Sequence, residues 1–166
     1  MITLKHILVA TDFSACSEAA VDQGRALAAV FDASLHLLHV ATAPLHEPWV
    51  GYAPGAEFVH LVRRLEDEGR QRLEQVAAGT GLPKDRVVLA TAWGDPADEI
   101  LKYACEQRVD LVVCGTHGRR GWDHLVMGSV AERVMRLAPC PVLTAHASPA
   151  LAREALSLAV AAGAPA

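Results

Sequence analysis

The sequence has few cysteines and few aromatic residues, and its cysteines show no metal-binding spacing. Four of its 166 residues are cysteines, and aromatic side chains account for 5%. No two cysteines form a C-x-x-C pair, which argues against a zinc site or a thioredoxin-like redox pair. We expect all four to be small, buried apolar residues: Cys16, Cys105, Cys114 and Cys140.

Long apolar runs are also absent. No stretch approaches the roughly 20 apolar residues of a membrane span. The N-terminal apolar run is too short for a signal peptide and lacks a cleavage pattern. A formal net charge of −4 provides no general attraction to nucleic acid or anionic lipid. We therefore expect a cytoplasmic protein whose partners include neither nucleic acid nor a membrane.

The apolar residues that are present follow strand and helix periodicities in alternation. Hydrophobic residues make up 52% of the chain, which is ordinary for a compact domain of this length. Buried strand-like runs cover residues 5–11, 34–41, 86–93, 109–114 and 142–145. Helix-like stripes lie between them, from Ser14 or Ser17 to about 31, then over 57–79, 96–107 and 129–138.

This alternation predicts an α/β fold. We expect one doubly wound domain with a five-stranded, mostly parallel sheet, helices on both faces and strand order 3-2-1-4-5. Asp95 and Pro96 are predicted to start the third helix, as N-cap and first helical residue. If strand 1 lies beside strand 4, Asp12 and Gly115 face the same crevice, where ligands of such sheets bind.

Two segments fall outside this pattern. Residues 42–56 are rich in proline and glycine and predict a long loop. Residues 147–166 form an alanine-rich extension whose weak apolar stripe either docks on a partner or frays. The expected organisation is a single domain over 1–146 followed by this extension.

A glycine-rich stretch joins strand 4 to helix 4, with the spacing Gly115-x2-Gly118-x9-Gly128-Ser129. Glycines at a strand end and a helix start allow phosphate oxygens to reach backbone amides, and the helix dipole favours the negative charge. We expect positive φ at Gly115 and Gly118, and a hydroxyl donor at Ser129.

Together with three other motifs, this stretch resembles the universal stress protein family. The motifs are Ala-Thr-Asp-Phe-Ser at 10–14, Gly-Asp-Pro at 94–96 and Ala-Pro-Cys-Pro-Val-Leu at 138–143. The resemblance covers about residues 3–146. Members of that family that carry G-x2-G-x9-G-[S/T] bind ATP, and members without it generally do not, so the resemblance implies the ATP-binding branch.

The resemblance also implies roles for individual residues. Val40 would contact adenine, Asp12 and its neighbours would line the crevice, and the glycine-rich stretch would hold ribose and phosphates. A homodimer through the strand Val142–Ala145 is implied as well. The full ATP-binding set is Ala10, Thr11, Asp12, Val40, Cys114, Gly115, His117, Gly118, Gly128, Ser129 and Val130.

Several of these side chains have a second interpretation. Asp12 suits ribose hydroxyls or an indirect contact to Mg²⁺, and the alternative is that it caps a helix at the end of strand 1. His117 either donates to a phosphate or faces water, and Arg119 and Arg120 either screen phosphate charge or are solvated. No protein metal site is expected, and the remaining histidines near the strands are packed or exposed: His36 and His39.

Enzyme signatures are missing. The sequence contains no G-x-x-x-x-G-K-[S/T], no G-x-G-x-x-G after strand 1 and no G-x-S-x-G. We therefore expect an ATP-binding regulatory dimer with little or no turnover and an unknown protein partner. Two alternatives stay open: a nucleotide-independent interaction module that uses the 42–56 loop and the extension, or a slow ATPase on the same fold.

Overall fold

The computed structural model describes residues 3–42, 56–117 and 127–146. Strands and helices alternate along the chain, with a short 3-10 turn at Lys84–Arg86 before the third strand. The elements are β1 (His6–Ala10), α1 (Ala15–Phe31), β2 (Ser34–Ala41), α2 (Ala56–Gly79), β3 (Val87–Trp93), α3 (Pro96–Glu106), β4 (Leu111–Gly115), α4 (Ser129–Leu137) and β5 (Val142–Ala145).

The five strands form one sheet in the order β3-β2-β1-β4-β5, and every neighbouring pair is parallel. Helices α1 and α2 pack on one face, and α3 and α4 pack on the other. The predicted doubly wound α/β fold and its strand order are confirmed. The order follows from right-handed crossovers, which add strands outward on both sides of β1.

The core consists of two apolar layers separated by the sheet. Because successive side chains of a strand point to opposite faces, Ile7 and Val9 of β1 pack under α1 and α2, whereas Leu8 packs under α3 and α4. All three are fully buried. This double coverage explains why the strands read as continuous apolar runs.

Helix starts are set by short polar side chains. Ser14 is the N-cap of α1, and its hydroxyl accepts from the Ser17 amide at 3.4 Å, which decides between the two candidate caps. Asp95 caps α3 by accepting from the Asp98 amide at 3.1 Å, and Pro96 is the first helical residue, as predicted. These caps satisfy amides that have no partner within the helix.

Some predicted regions lie outside the described residues. They are the greater part of the 42–56 loop, the middle of the glycine-rich stretch and the extension from residue 147 onward. Helix α2 begins at Ala56, one residue before the predicted start. Within the described part of the chain, no helix has the length and apolarity to cross a membrane.

Candidate functional site

The candidate site lies where the strand order reverses, between the carboxyl ends of β1 and β4. Ala10 is in register with Cys114, so the chain leaves both strands side by side. Asp12 follows β1 and Thr116 follows β4 at this edge. In doubly wound sheets such a switch point opens a crevice, because the two adjacent crossovers run to opposite faces.

One side of this crevice has an apolar floor. Ala10, Val40 and Val130 are partly buried and pack against the same core cluster, on the face covered by α3 and α4. Cys114 lies two residues after Val112 of that cluster and therefore points to the same face. Burial raises the pKa of the Cys114 thiol to about 11, so the side chain stays neutral and acts as an apolar wall.

The N-terminus of α4 lies beside the end of β4. Gly128 donates its amide to the Thr116 carbonyl oxygen at 2.9 Å, and the first helical bond runs from the Glu132 amide to the Gly128 carbonyl. The amides of Ser129 and Val130 precede that bond and have no intrahelical acceptor. A helix start with such amides, beside an apolar floor, is suited to an anion attached to an apolar group.

Gly128 is needed at this point because of its contacts. A Cβ there would lie 3.2 Å from the Thr116 carbonyl oxygen and 3.6 Å from the His117 Cα. Its φ of −59° and ψ of 142° are accessible to any residue. The glycine therefore serves the close approach of two backbone segments.

The reason predicted for Gly115 was wrong. Among the described glycines, those with positive φ are Gly81 and Gly94, and Gly115 is an ordinary strand residue. A Cβ at Gly115 would instead lie 2.9 Å from the carbonyl carbon of Cys16, in the first turn of α1. Gly115 thus permits α1 to pack against the end of β4. Gly118 lies outside the described residues, as do Arg119 and Arg120.

Asp12 supports the helix cap without being the cap itself. Its Oδ1 accepts from the Ser14 amide at 3.0 Å and from the Ser14 hydroxyl at 2.6 Å. These two bonds fix the carboxylate at the end of β1. The interpretation of Asp12 as the helix cap is therefore wrong, since Ser14 is the N-cap, and the ligand role of Asp12 stays a prediction.

Thr11 differs from its neighbours because its side chain lies on the α1 side. The hydroxyl is within 3.0 Å of the Ser17 Oγ and accepts from the Phe13 amide at 3.0 Å. Only 6% of the residue is exposed. The floor formed by Ala10 and Val40 is on the opposite face, so Thr11 can contribute to the crevice only through its backbone.

The start of the glycine-rich stretch is tied to β5. Thr116 is 2% exposed and donates its amide to the Ala145 carbonyl at 2.9 Å. Its hydroxyl lies 3.2 Å from the His117 Nδ1 and 3.1 Å from the His146 Nδ1. Sequence reasoning missed Thr116 and His146, since no motif marks a pair that is thirty residues apart.

A second tie that sequence reasoning missed joins α4 to the start of α3. The guanidinium of Arg133 bonds Asp95 at 3.1 Å and Asp98 at 2.5 Å. The Asp95 carboxylate therefore serves both its helix cap and this ion pair. The spacing of 38 residues from Asp95 to Arg133 carries no local signal.

The strand histidines are packed. His36 lies near the amino end of the sheet, with its Nδ1 2.9 Å from the Tyr103 hydroxyl and its Nε2 3.4 Å from the His6 Nδ1. His39 donates from Nδ1 to the Thr11 carbonyl at 2.8 Å. Among the residues that the structure describes, no three His, Cys, Asp or Glu side chains are grouped so as to hold a metal ion.

The sequence is similar to known proteins over most of its length. Residues 3–146 match the model of the universal stress protein family. A universal stress protein from Methanocaldococcus jannaschii is 32% identical over 139 residues, which cover 84% of this chain and 80% of that protein. Universal stress protein A homolog 1 of Coxiella burnetii is 35% identical over 144 residues, covering 84% of this chain and 94% of that one.

Solved structures share the fold. The universal stress protein UspA from Lactobacillus plantarum superposes with a TM-score of 0.68 at 25% identity and covers 87% of this chain and 99% of that one. A universal stress protein in complex with cAMP has a TM-score of 0.60 at 24% identity, covering 89% of this chain and 100% of that one. A family protein from Arabidopsis thaliana with AMP bound has a TM-score of 0.57 at 20% identity, covering 89% and 94%.

Proposed function

We propose that this chain, which belongs to the universal stress protein family, binds ATP in the crevice between β1 and β4 and acts as a regulatory protein. The observation that carries the proposal is the closure of the α4 N-terminus onto Thr116 through the Gly128 amide. That bond places helix amides without an intrahelical acceptor beside the apolar floor at the switch point of the sheet. A nucleotide needs this combination, since its base is flat and apolar and its phosphates are anionic.

Each part of the nucleotide has a counterpart. The adenine ring would rest near Val40 and Ala10, and the phosphates would accept from the amides at the α4 start. Asp12 would accept from ribose hydroxyls or hold a water of Mg²⁺. A direct contact between its carboxylate and a phosphate would be repulsive unless a cation bridged the two. His117 and the glycine-rich stretch would border the phosphates.

The structural neighbours lend support of a general kind. Two proteins of the same fold are described with cAMP and with AMP bound. Both ligands contain adenosine and phosphate, which are the parts that the floor and the helix start would recognise. The choice of ATP rests on the complete G-x2-G-x9-G-S spacing from Gly115 to Ser129.

Holding the nucleotide fits the residues better than consuming it. The sequence lacks the lysine of a P-loop, and Ser129 has no sequence-evident base to activate it. Without a positioned nucleophile or base, bound ATP would turn over slowly. The occupancy of the site would then be the signal read by a protein partner.

The proposed assembly is a cytoplasmic homodimer through β5. This strand is last in the sheet order and pairs with β4 on one side, so it is an edge strand. Edge strands expose backbone groups that pair readily with a second chain. The alanine-rich extension over 147–166 is proposed to be a segment separate from the nucleotide-binding domain over 1–146.

Two measurements test the nucleotide proposal. Heat-denatured protein should release adenine nucleotide that chromatography identifies, and calorimetry should detect binding of ATP with Mg²⁺, with AMP and cAMP as comparisons. Absence of both signals at millimolar nucleotide would overturn the proposal and favour a nucleotide-independent interaction module. Steady hydrolysis above roughly 1 per second, the low end of typical enzyme rates, would instead favour an ATPase.

A further inference from the structure

Phe13 has an unusual backbone conformation beside the candidate site. It lies between Asp12 and Ser14 with φ of 63°, in the left-handed region. For a bulky side chain this conformation is a genuine outlier, and it persists only where the surroundings hold it. Contacts from neighbouring elements must therefore stabilise Phe13 in this conformation.

Two side chains from other elements hold the Phe13 ring. The Arg72 guanidinium of α2 lies 4.0 Å from the ring centroid, in cation–π geometry. The His39 ring of β2 lies 4.5 Å away at a 38° angle. His39 is itself fixed, because its Nδ1–H donates to the Thr11 carbonyl at 2.8 Å.

Helix α2 has a glycine at the point where it meets this cluster. A Cβ at Gly69 would lie 2.8 Å from the His39 Cδ2, so only glycine leaves room for the imidazole at this distance. Arg72 follows Gly69 by three residues and is therefore on the same side of the helix. Gly69 thus lets helix α2 come close to His39, and Arg72 on the same side of the helix covers the Phe13 ring.

The turn that contains Phe13 determines where Asp12 lies. The Asp12 Oδ1 accepts from both the amide and the hydroxyl of Ser14, and Phe13 is the residue spanned by these bonds. A change of residue 13 to a negative φ would rotate the Ser14 amide away from the carboxylate. The conformation of Phe13 and the position of the Asp12 carboxylate are therefore coupled.

We propose that Phe13 is a positioning residue for nucleotide binding: Arg72 and His39 hold it in the left-handed conformation, and this conformation fixes Asp12 in the crevice. The inference rests on the proposed nucleotide function. It adds that helix α2 contributes to the affinity for nucleotide through Arg72, without any need for its side chains to touch the ligand.

The test compares nucleotide dissociation constants, measured by calorimetry with ATP and Mg²⁺, for matched variants. Arg72→Leu should raise the constant two- to five-fold, the range expected from the loss of an exposed cation–π contact. Arg72→Lys should keep it within twofold of wild type. Arg70→Leu is the control, because Arg70 is exposed and, among the described residues, forms a surface pair with Glu74 at 3.8 Å one turn along α2.

Variants at Phe13 distinguish an effect on the position of the Asp12 carboxylate from an effect on the stability of the whole fold. Phe13→Ala should raise the dissociation constant roughly tenfold. Phe13→Tyr keeps the aromatic ring and should therefore bind nucleotide with wild-type affinity. In an Asp12→Asn background, Phe13→Ala should have no further effect if it acts through that carboxylate. Unfolding midpoints of all variants would verify that each is folded, and Arg72→Leu replaces Phe13→Ala if the latter is not.

The outcomes distinguish the positioning role of Phe13 from nucleotide binding itself. Additive effects of Phe13→Ala and Asp12→Asn, or wild-type affinity in Arg72→Leu and Phe13→Ala, would overturn the positioning role and leave the proposed function standing. A wild-type protein that binds no adenine nucleotide would overturn both.

Discussion

The amide of Gly128 donates to the carbonyl oxygen of Thr116 over 2.9 Å, although the two residues are twelve positions apart along the chain. This bond joins the end of β4 to the start of α4. Thr116 in turn receives its own support from the Ala145 carbonyl at the end of β5. The candidate phosphate site is therefore assembled from three elements, and changes at any of them should be measurable.

Replacing Gly128 with valine should weaken nucleotide binding roughly tenfold or more, a loss of about 1.4 kcal/mol. The added Cβ would lie 3.2 Å from the Thr116 carbonyl oxygen, and backbone atoms cannot rotate aside as a side chain can. Calorimetry with ATP and Mg²⁺ measures the effect. Unchanged affinity in a folded Gly128→Val protein would show that the phosphates do not bind at the α4 start.

Gly115→Ala should lower the free energy of unfolding by about 1–3 kcal/mol, as expected for overpacking. Its Cβ would meet the Cys16 backbone of α1 at 2.9–3.0 Å. Gly79→Ala is the control, since among the described residues no atom beyond its chain neighbours and its own helix backbone lies within 4 Å of that Cβ. It should be neutral or stabilising by up to about 1 kcal/mol. Urea denaturation compares the two variants, and equal effects would contradict the packing explanation.

Acidification should destabilise the protein through His36. Burial, with a further contribution from His6, lowers the pKa of His36 below its ordinary value of 6.5. The unfolded chain therefore binds the proton first, and stability is lost as the pH falls below about 6.5 towards the lowered pKa.

Urea denaturation between pH 8 and 5 measures this dependence. His36→Gln should reduce the loss of stability over that range, because glutamine does not titrate. His60→Gln on the exposed side of α2 is the matched control. An identical pH profile for wild type and His36→Gln would exclude His36 as the group responsible.

Arg86→Met should cost about 1–3 kcal/mol, the range for lost hydrogen bonds to a charged group. The Nη2 of Arg86 donates to the carbonyls of Ala28 at 2.6 Å and Ala33 at 3.0 Å, and the Nη1 pairs with Asp32 at 2.8 Å. These contacts tie the end of α1 to the start of β3.

Arg25→Met serves as the comparison for Arg86. Arg25 forms an exposed pair with Asp22 at 3.9 Å, and such pairs contribute about 0–1 kcal/mol. Chemical denaturation should rank the Arg86 variant clearly below the Arg25 variant. The opposite ranking would mean that the α1 end does not depend on the guanidinium.

Alkylation should separate the cysteines by burial. The expectation that all four cysteines are buried is wrong for Cys105, which is exposed. Cys114 is buried, and its thiol pKa is raised to about 11. Because the thiolate is the reactive form, brief iodoacetamide treatment at pH 8 should label Cys105 and leave Cys114 unmodified until the protein is unfolded. Mass spectrometry of the peptides would report the order, and early labelling of Cys114 would contradict its burial.

Sequence patterns predicted the elements and their arrangement well because those signals are local. Periods of 2 and 3.6 residues identify buried strands and helix faces, and Asp95-Pro96 marks a helix start within two residues. Their alternation, with right-handed crossovers, leads to the order β3-β2-β1-β4-β5. The family motifs from residue 10 to 143 are local in the same sense.

Features that depend on distant residues could not be predicted. Phe13 carries no mark of its left-handed backbone, because Arg72 and His39 hold it from two other elements. The orientation of Thr11 towards Ser17 likewise depends on how α1 packs against the end of β1.

The glycine-rich stretch from Gly115 to Ser129 shows most clearly which features the sequence predicts and which depend on the tertiary structure. Its place between a buried strand and a helix-like stripe, together with its glycine spacing, indicated a loop with room for phosphate oxygens. Only the tertiary structure decided why its glycines are required: Gly115 admits the first turn of α1, and Gly128 admits the Thr116 backbone. The physical reason is that excluded volume acts between segments that meet only after the sheet has formed.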